Sequence, residues 1–225
     1  MKLEQTVTAA EKKVILPFEP TREYEVERLG ELPPKPVYEL VKRSFDIVLS
    51  GLLLLLFAIP MLVIGIAVKV TSPGPMLYRQ ERLGKNGKQI AICKFRTMTS
   101  DSEVEGIRWS CEDDPRVTPL GRVLRKYHID ELPQLWDIFR GVLSFVGPRP
   151  EREVFYDAFE TYIHGFRERL KVVPGLTGLA QVTGGSTMPP EEKVVCDVDY
   201  IKHRSIWLDF KVLIKTVVVV FSGRF

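Results

Sequence analysis

From Lys42 to Lys69 the chain reads Lys42-Arg43-Ser44-Phe45-Asp46 and then an uncharged run, Ile47 to Val68, interrupted by Pro60. A run of about 20 apolar residues is long enough to cross a bilayer core, so this stretch places everything else relative to a membrane. Pro60 removes a backbone donor and crowds the preceding turn, which predicts a sharp bend. At ~1.5 Å per residue each half is then about one leaflet deep. Basic residues stand on both flanks, Lys42 and Arg43 before and Lys69, Arg79 and Arg82 after, so the positive-inside rule assigns no direction. A helix that enters, bends at Pro60 and leaves by the same face meets all three conditions. A single span and a buried core helix are the alternatives.

The 225 residues suffice for one domain plus a membrane element, or for two small domains. A net charge of +3 does not point to nucleic acid, whereas basic residues beside apolar segments suit an anionic membrane surface. Cys93, Cys111 and Cys196 lack metal-ligand spacing and read as free thiols. The apolar run begins too far into the chain for a signal peptide and lacks a small-residue cleavage site. Residues 1–40, with Pro17, Pro20, Pro33, Pro34 and Pro36, read as a charged arm, mobile or dependent on a partner.

Beyond the anchor, Thr71-Ser72-Pro73-Gly74-Pro75 stops the helix. Met76–Leu83 and Gln89–Met98 read as strands about Asn86-Gly87, a strong hairpin signal because both central residues must accept positive φ. Alternation places Lys94 and Arg96 on one face and Phe95 on the other. The acidic stretch after Ser100 reads as a surface loop. Thr118-Pro119 opens a helix that ends near Tyr127. In Asp130-Glu131-Leu132-Pro133-Gln134-Leu135 the spacing predicts Asp130 as an N-cap, Pro133 in the first turn and Gly141 as the stop. As a lone residue Asp130 reads as a cap. With Glu131 beside it, the cations Lys94, Arg96, Arg125 and Arg149 on other elements are candidates to meet at a phosphorylated ligand. Arg149 lies between Pro148 and Pro150, which stiffen its backbone and suit it to anion contact. Residues 151–170 read as one helix with an aromatic stripe (Phe155, Phe159, Tyr162, Phe166). Pro174–Val182 reads as turns into an extended piece, Glu191–Lys202 as a helix carrying Asp197, and the tail from Ser205 as an amphipathic helix in the membrane interface.

Taken in order, these pieces resemble the bacterial sugar transferase family, the monotopic polyprenol-phosphate phosphoglycosyl transferases. The resemblance rests on Lys42-Arg43-Ser44-Phe45-Asp46, the proline-broken helix, Lys94-Phe95-Arg96-Thr97-Met98, Asp130 to Leu135, Ser144 to Pro150, Pro174 to Val182 and Trp207-Leu208-Asp209. It implies transfer of a hexose 1-phosphate from a UDP-sugar to undecaprenyl (polyprenol) phosphate with release of UMP, the first membrane step of surface-glycan assembly. On the family's pattern Asp130 is the nucleophile of a covalent phosphosugar intermediate and Glu131 its partner. Mg²⁺ is required, with Asp130 as a ligand, and Lys94, Arg125, Arg149 and Asp197 fall on positions in or near the active site; with Arg96, they are the substrate-binding residues expected. Galactose or glucose is the sugar expected, from the tail and the loop Gly184-Gly185-Ser186-Thr187-Met188.

The implied fold is α+β. A small, mostly helical catalytic domain with a β-hairpin (71–225) carries interfacial amphipathic helices and follows a proline-kinked re-entrant membrane helix (41–70). The implied place is the cytoplasmic face of the bacterial inner membrane, with membrane lipid and a second copy of the chain as further partners. One departure is visible: many members carry a small hydroxyl residue before the anchor proline, where this chain has Ile59. The alternative function is a catalytically inactive, membrane-anchored scaffold for glycan-assembly enzymes.

Overall fold

The structure, a computed structural model, describes residues 5–9, 12–16, 22–99, 107–108, 114–185 and 188–222. Most of the acidic loop after Ser100, Cys111 and residues 186–187 of the glycine-rich loop lie outside them. Strands β1 (Gln5–Ala9) and β2 (Lys12–Leu16) pair antiparallel. Strand β3 (Tyr24–Glu25) is joined to the body, its Tyr24 N–H donating to the Tyr162 carbonyl at 2.7 Å. Val26 is buried in the core. Residues 24–26 therefore lie against the body.

Helix α1 (Pro36–Thr71) opens on Pro36, whose missing N–H costs nothing in a first turn, and runs through Pro60 without a break. Its middle faces outward, Leu55 and Ile59 being 79% and 76% exposed. Its two ends are fastened to the same body. Near the start, Arg43 donates to the Ile138 and Phe139 carbonyls at 2.8 and 2.7 Å, and Asp46 Oδ1 accepts from the Phe145 N–H at 3.1 Å. Near the finish, Val68 packs against Phe95 and Leu124, while Arg96 donates to the Ser72 carbonyl at 2.8 Å and to the Pro73 carbonyl.

Strands β4 (Leu77–Leu83) and β5 (Gln89–Phe95) form the expected hairpin, with Asn86 at φ 59° and Gly87 at φ 74°. The two-residue strand β6 (Ile107–Arg108) lies parallel to β2. Helix α2 (Pro119–Lys126) is capped by Thr118, whose Oγ1 accepts from the Gly121 N–H at 2.9 Å. Helix α3 (Gln134–Arg140) ends at Gly141, φ 82°. Strand β7 (Ser144–Val146) leads to α4 (Glu153–Glu160), which stops well short of Leu170. Instead of one long helix the chain forms β8 (Ile163–His164), parallel to β3, turns at Gly165 (φ 100°) and enters a 3-10 segment, Phe166–Lys171. Its aromatic stripe is core: Phe159, Ile163 and Phe166 are fully buried, at about 1.5–3 kcal/mol for each such side chain. Strand β9 (Gly175–Thr177) pairs parallel with β7, followed by α5 (Leu179–Gly184), α6 (Pro190–His203) and α7 (Ile206–Ser222).

Helix α7 turns one face inward, with Val212 and Asp209 buried. Its other face exposes Trp207, Phe210, Ile214, Val217 and Val218. The Asp209 carboxylate accepts from Tyr200 (2.7 Å), Lys42 (2.7 Å) and Tyr38 (3.0 Å), so a buried charge with three donors ties α7 to α6 and to the start of α1.

Candidate active site

The site forms where β5, the turn after α2 and the Pro148-Arg149-Pro150 loop meet. His128 adopts the left-handed conformation (φ 53°, ψ 22°), which ends α2 and starts a 3-10 turn, Ile129–Glu131. Asp130 is not the N-cap the spacing predicted. Bonds run from the Glu131 N–H to the His128 carbonyl, from Leu132 to Ile129, from Leu135 to Leu132 and from Trp136 to Pro133, all three residues apart. Pro133 has no N–H to give, so the regular helix begins one residue after it and Asp130 sits inside the tighter turn.

Asp130 and Glu131 are both buried, and their surroundings separate them. Lys94 Nζ donates to Glu131 Oε1 at 2.6 Å. Arg149 reaches the same carboxylate with both terminal nitrogens, Nη2 on Oε1 and Nη1 on Oε2, the latter at 3.3 Å. Burial alone would raise the Glu131 pKa, but Arg149 and then Lys94 outweigh it and hold the carboxyl well below its usual range. Asp130 goes the other way. Burial, and after it the Glu131 charge, push its pKa up, against the pull of Lys94, Arg125 and Arg149. Its Oδ1 is buried with no hydrogen-bond partner. Of two adjacent acids, one is committed to cations and the other keeps an unsatisfied oxygen.

Lys94, Arg125 and Arg149 thus meet at the acidic pair, with Arg125 steered by a 2.9 Å bond from its Nε to Thr97 Oγ1. Arg96 does not join them. The strand ends at Phe95, alternation fails at the next residue, and the Arg96 guanidinium is taken by carbonyls at the end of α1. Asp197 lies one layer back. It pairs with Arg169 at 2.7 Å, and Arg169 Nη2 donates to the Arg149 carbonyl at 3.0 Å. The pair Arg82 and Glu151 (2.7 Å) supports the same loop, Arg82 also donating to the Pro150 carbonyl at 3.1 Å. Prolines supply no N–H, so this loop is held by arginines on its carbonyls.

Sequence reasoning overlooked Arg169 and Asp137, the latter buried and accepting from the Cys93 N–H at 2.9 Å. No local signal marks either, since each partner is distant in sequence. Among the described residues no three His, Cys, Asp or Glu side chains are grouped to hold a metal. Mg²⁺, however, is commonly held by one or two carboxylates with phosphate oxygens and waters completing its shell. The unsatisfied Oδ1 of Asp130 fits that demand, whereas the Glu131 oxygens are already taken.

A fold of this kind, with an acid pair bound by basic side chains beside a long apolar helix, defines a class, and the sequence comparison names it. Residues 37–223 match the model of the bacterial sugar transferases, and the chain belongs to that family. It is 39% identical over 199 residues to the UDP-N-acetylgalactosamine-undecaprenyl-phosphate N-acetylgalactosaminephosphotransferase of Aeromonas hydrophila, which covers 87% of this chain and 47% of that protein. It is 41% identical over 195 residues to the UDP-glucose:undecaprenyl-phosphate glucose-1-phosphate transferase of Caulobacter vibrioides, covering 84% and 73%. With the exopolysaccharide production protein ExoY of Rhizobium meliloti it shares 37% over 205 residues, covering 84% and 89%. The chain spans about half the length of the Aeromonas relative.

Proposed function

We propose that this chain transfers a hexose 1-phosphate from a UDP-sugar to undecaprenyl phosphate, in two steps, at the membrane surface. The observation that carries the reading is the Asp130 carboxylate, buried, with one oxygen unsatisfied, among Lys94, Arg125 and Arg149. Asp130 attacks the sugar-bearing phosphorus of the donor. A P–O bond to Asp130 forms, the bond to the bridging oxygen breaks, and UMP leaves with that oxygen. An oxygen of the lipid phosphate then attacks the same phosphorus and the P–O bond to Asp130 breaks, restoring the carboxylate and giving the lipid diphosphate sugar. Splitting the transfer lets a water-soluble donor and a lipid acceptor use one site in turn.

Lys94 and Arg149 supply positive charge where oxygens gain negative charge, and Glu131 holds those two cations in place. Asp130 would hold Mg²⁺, whose charge would neutralise phosphate oxygens that otherwise repel the carboxylate. Arg169 and Asp197 act behind this layer, fixing the backbone of Arg149.

The membrane part of the reading is a re-entrant α1. A straight helix crossing a ~30 Å core would put residues 46 and 68 on opposite faces. Both are bonded or packed to one body here, and the exposed apolar middle between them needs lipid to cover it. The exposed stripe of α7 suits the interface beside it, with the body at the cytoplasmic face.

The test uses the full chain with Mg²⁺, undecaprenyl phosphate and a panel of UDP-glucose, UDP-galactose and UDP-N-acetylgalactosamine. UMP release with one donor, and a phosphosugar mass on the Asp130 peptide when acceptor is withheld, are the expected results. Asp130→Asn gives neither. Folded protein that releases no UMP with any donor would favour the inactive scaffold.

A further inference from the structure

The β4–β5 hairpin has two faces, and the site described so far uses one. Directly opposed residues share a face, so Lys94 and Tyr78 lie on the side of Glu131, and Cys93 and Arg79 on the other. On that other side a groove of about 850 Å³ runs between the hairpin, α3 and the middle of α1. Its inner wall is apolar, built from Met61 and Leu62 of α1, Met76 and Trp136, and it is continuous with the exposed stretch of α1. Its outer part is basic, lined by Arg79, Lys85, Lys88 and Arg140. Asp137 is the acid of the lining, and it is already engaged by Arg140 at 2.8 Å and by the Cys93 N–H. Among the described residues Arg79, Lys85 and Lys88 form no salt bridge.

We propose that this groove seats an anionic phospholipid of the surrounding bilayer, its phosphodiester at Arg79 and Arg140 and an acyl chain along Met61, Leu62 and Trp136. An apolar wall that opens into a cluster of cations has the charge and polarity order of such a lipid, phosphate outward and hydrocarbon inward. Trp136 is half exposed with the Arg140 guanidinium 6.0 Å from its ring, an amphipathic pair suited to headgroup level. The bound phosphate is not the reacting one, because the hairpin separates the groove from Asp130. The lipid acts instead as a wedge that holds the hairpin, and hence Lys94, against α1. This requires that the chain lies at a membrane, and not that it transfers a phosphosugar.

The test is lipid retention. Full-length protein is taken from nanodiscs of equimolar phosphatidylcholine and phosphatidylglycerol into neutral detergent and examined by native mass spectrometry. The wild type is expected to retain phosphatidylglycerol in preference to phosphatidylcholine. Arg79→Gln/Lys85→Gln/Lys88→Gln is expected to lower that retention by at least about tenfold, since each cation near an anionic surface is worth about fivefold. Those side chains are exposed, so the variant keeps the wild-type melting curve, and Lys211→Gln, on α7, leaves retention unchanged. Equal retention of the two lipids, or a triple variant that retains phosphatidylglycerol like the wild type, overturns the proposal. So does stoichiometric displacement of phosphatidylglycerol by undecaprenyl phosphate, which would give the groove to the acceptor.

Discussion

Replacing Glu131 by Gln removes one charge from a buried cluster of three. The carboxylate accepts from Lys94 at 2.6 Å and from both terminal nitrogens of Arg149, and its side chain is 10% exposed, against 17% for Lys94 and 33% for Arg149. Taking away one member of a buried ion pair costs about 3–5 kcal/mol, because the partners stay desolvated without compensation. Gln keeps one carbonyl oxygen as an acceptor, and Arg149 is partly solvated, which places the loss near the lower end, about 3 kcal/mol. In a chain of this size that lowers Tm by roughly 6–12 °C. The pH dependence has a definite sign. The folded-state pKa of Glu131 lies below its ordinary 4.5, so its contribution is present above about pH 4.5 and is lost as pH falls through the folded value. Wild type and variant therefore converge in acid. Adding Lys94→Met removes a stranded cation, so the double variant should be more stable than the sum of the single losses by about 1–3 kcal/mol. Differential scanning of the four proteins in detergent at pH 7, and at steps of falling pH well below 4, measures all of this. A Glu131→Gln Tm within experimental error of wild type at pH 7 would refute the claim that the cations are held by this carboxylate.

If Asp130 is the nucleophile proposed above, its raised pKa means that the attacking anion is lost at a higher pH than for an ordinary aspartate, and UMP release should climb with pH through that raised value. Lys94→Met, which removes a stabilising cation, should move this acid limb further upward in a pH–rate profile. Asp46→Ala leaves the buried Phe145 N–H without its acceptor and should cost about 1–3 kcal/mol by thermal unfolding, whereas Asp46→Asn keeps most of the bond. Gly121→Ala tests packing against propensity. Alanine favours a helix by about 1 kcal/mol, but a Cβ at Gly121 runs into the Thr97 carbonyl and the Thr118 cap, so a net loss of about 1–3 kcal/mol is expected.

What was legible in the sequence had local causes. Asn86-Gly87 demanded positive φ and Thr118-Pro119 supplied a cap and a preset first turn, so the hairpin and α2 stand where the spacing put them. The acids and three of the cations of the site were also readable, but their division of labour was not. That Glu131 is spent on Lys94 and Arg149 while one Asp130 oxygen is left unsatisfied depends on side chains brought together across up to 37 residues. The expected helix over 151–170 failed because Phe155, Phe159, Tyr162 and Phe166 keep helical spacing even though the chain reverses at Gly165 and both pieces face one core. Arg96 failed because alternation holds only while the strand lasts, and β5 ends one residue earlier. Pro133 misled by its familiarity: a proline in a first turn is common, but here its missing donor shifted the helix start past Asp130.

The double fastening of α1, at Asp46 and again around Val68 and Ser72, makes the greasy helix and the polar body a single solid. At a membrane, as proposed above, such a solid would float at one depth, like a hull with its keel, and could not adjust by flexing at a joint. On that reading the height of Asp130 above the hydrocarbon is a fixed property of the molecule, and thinning or thickening the bilayer should raise KM for the proposed lipid acceptor while leaving that for the proposed soluble donor unmoved.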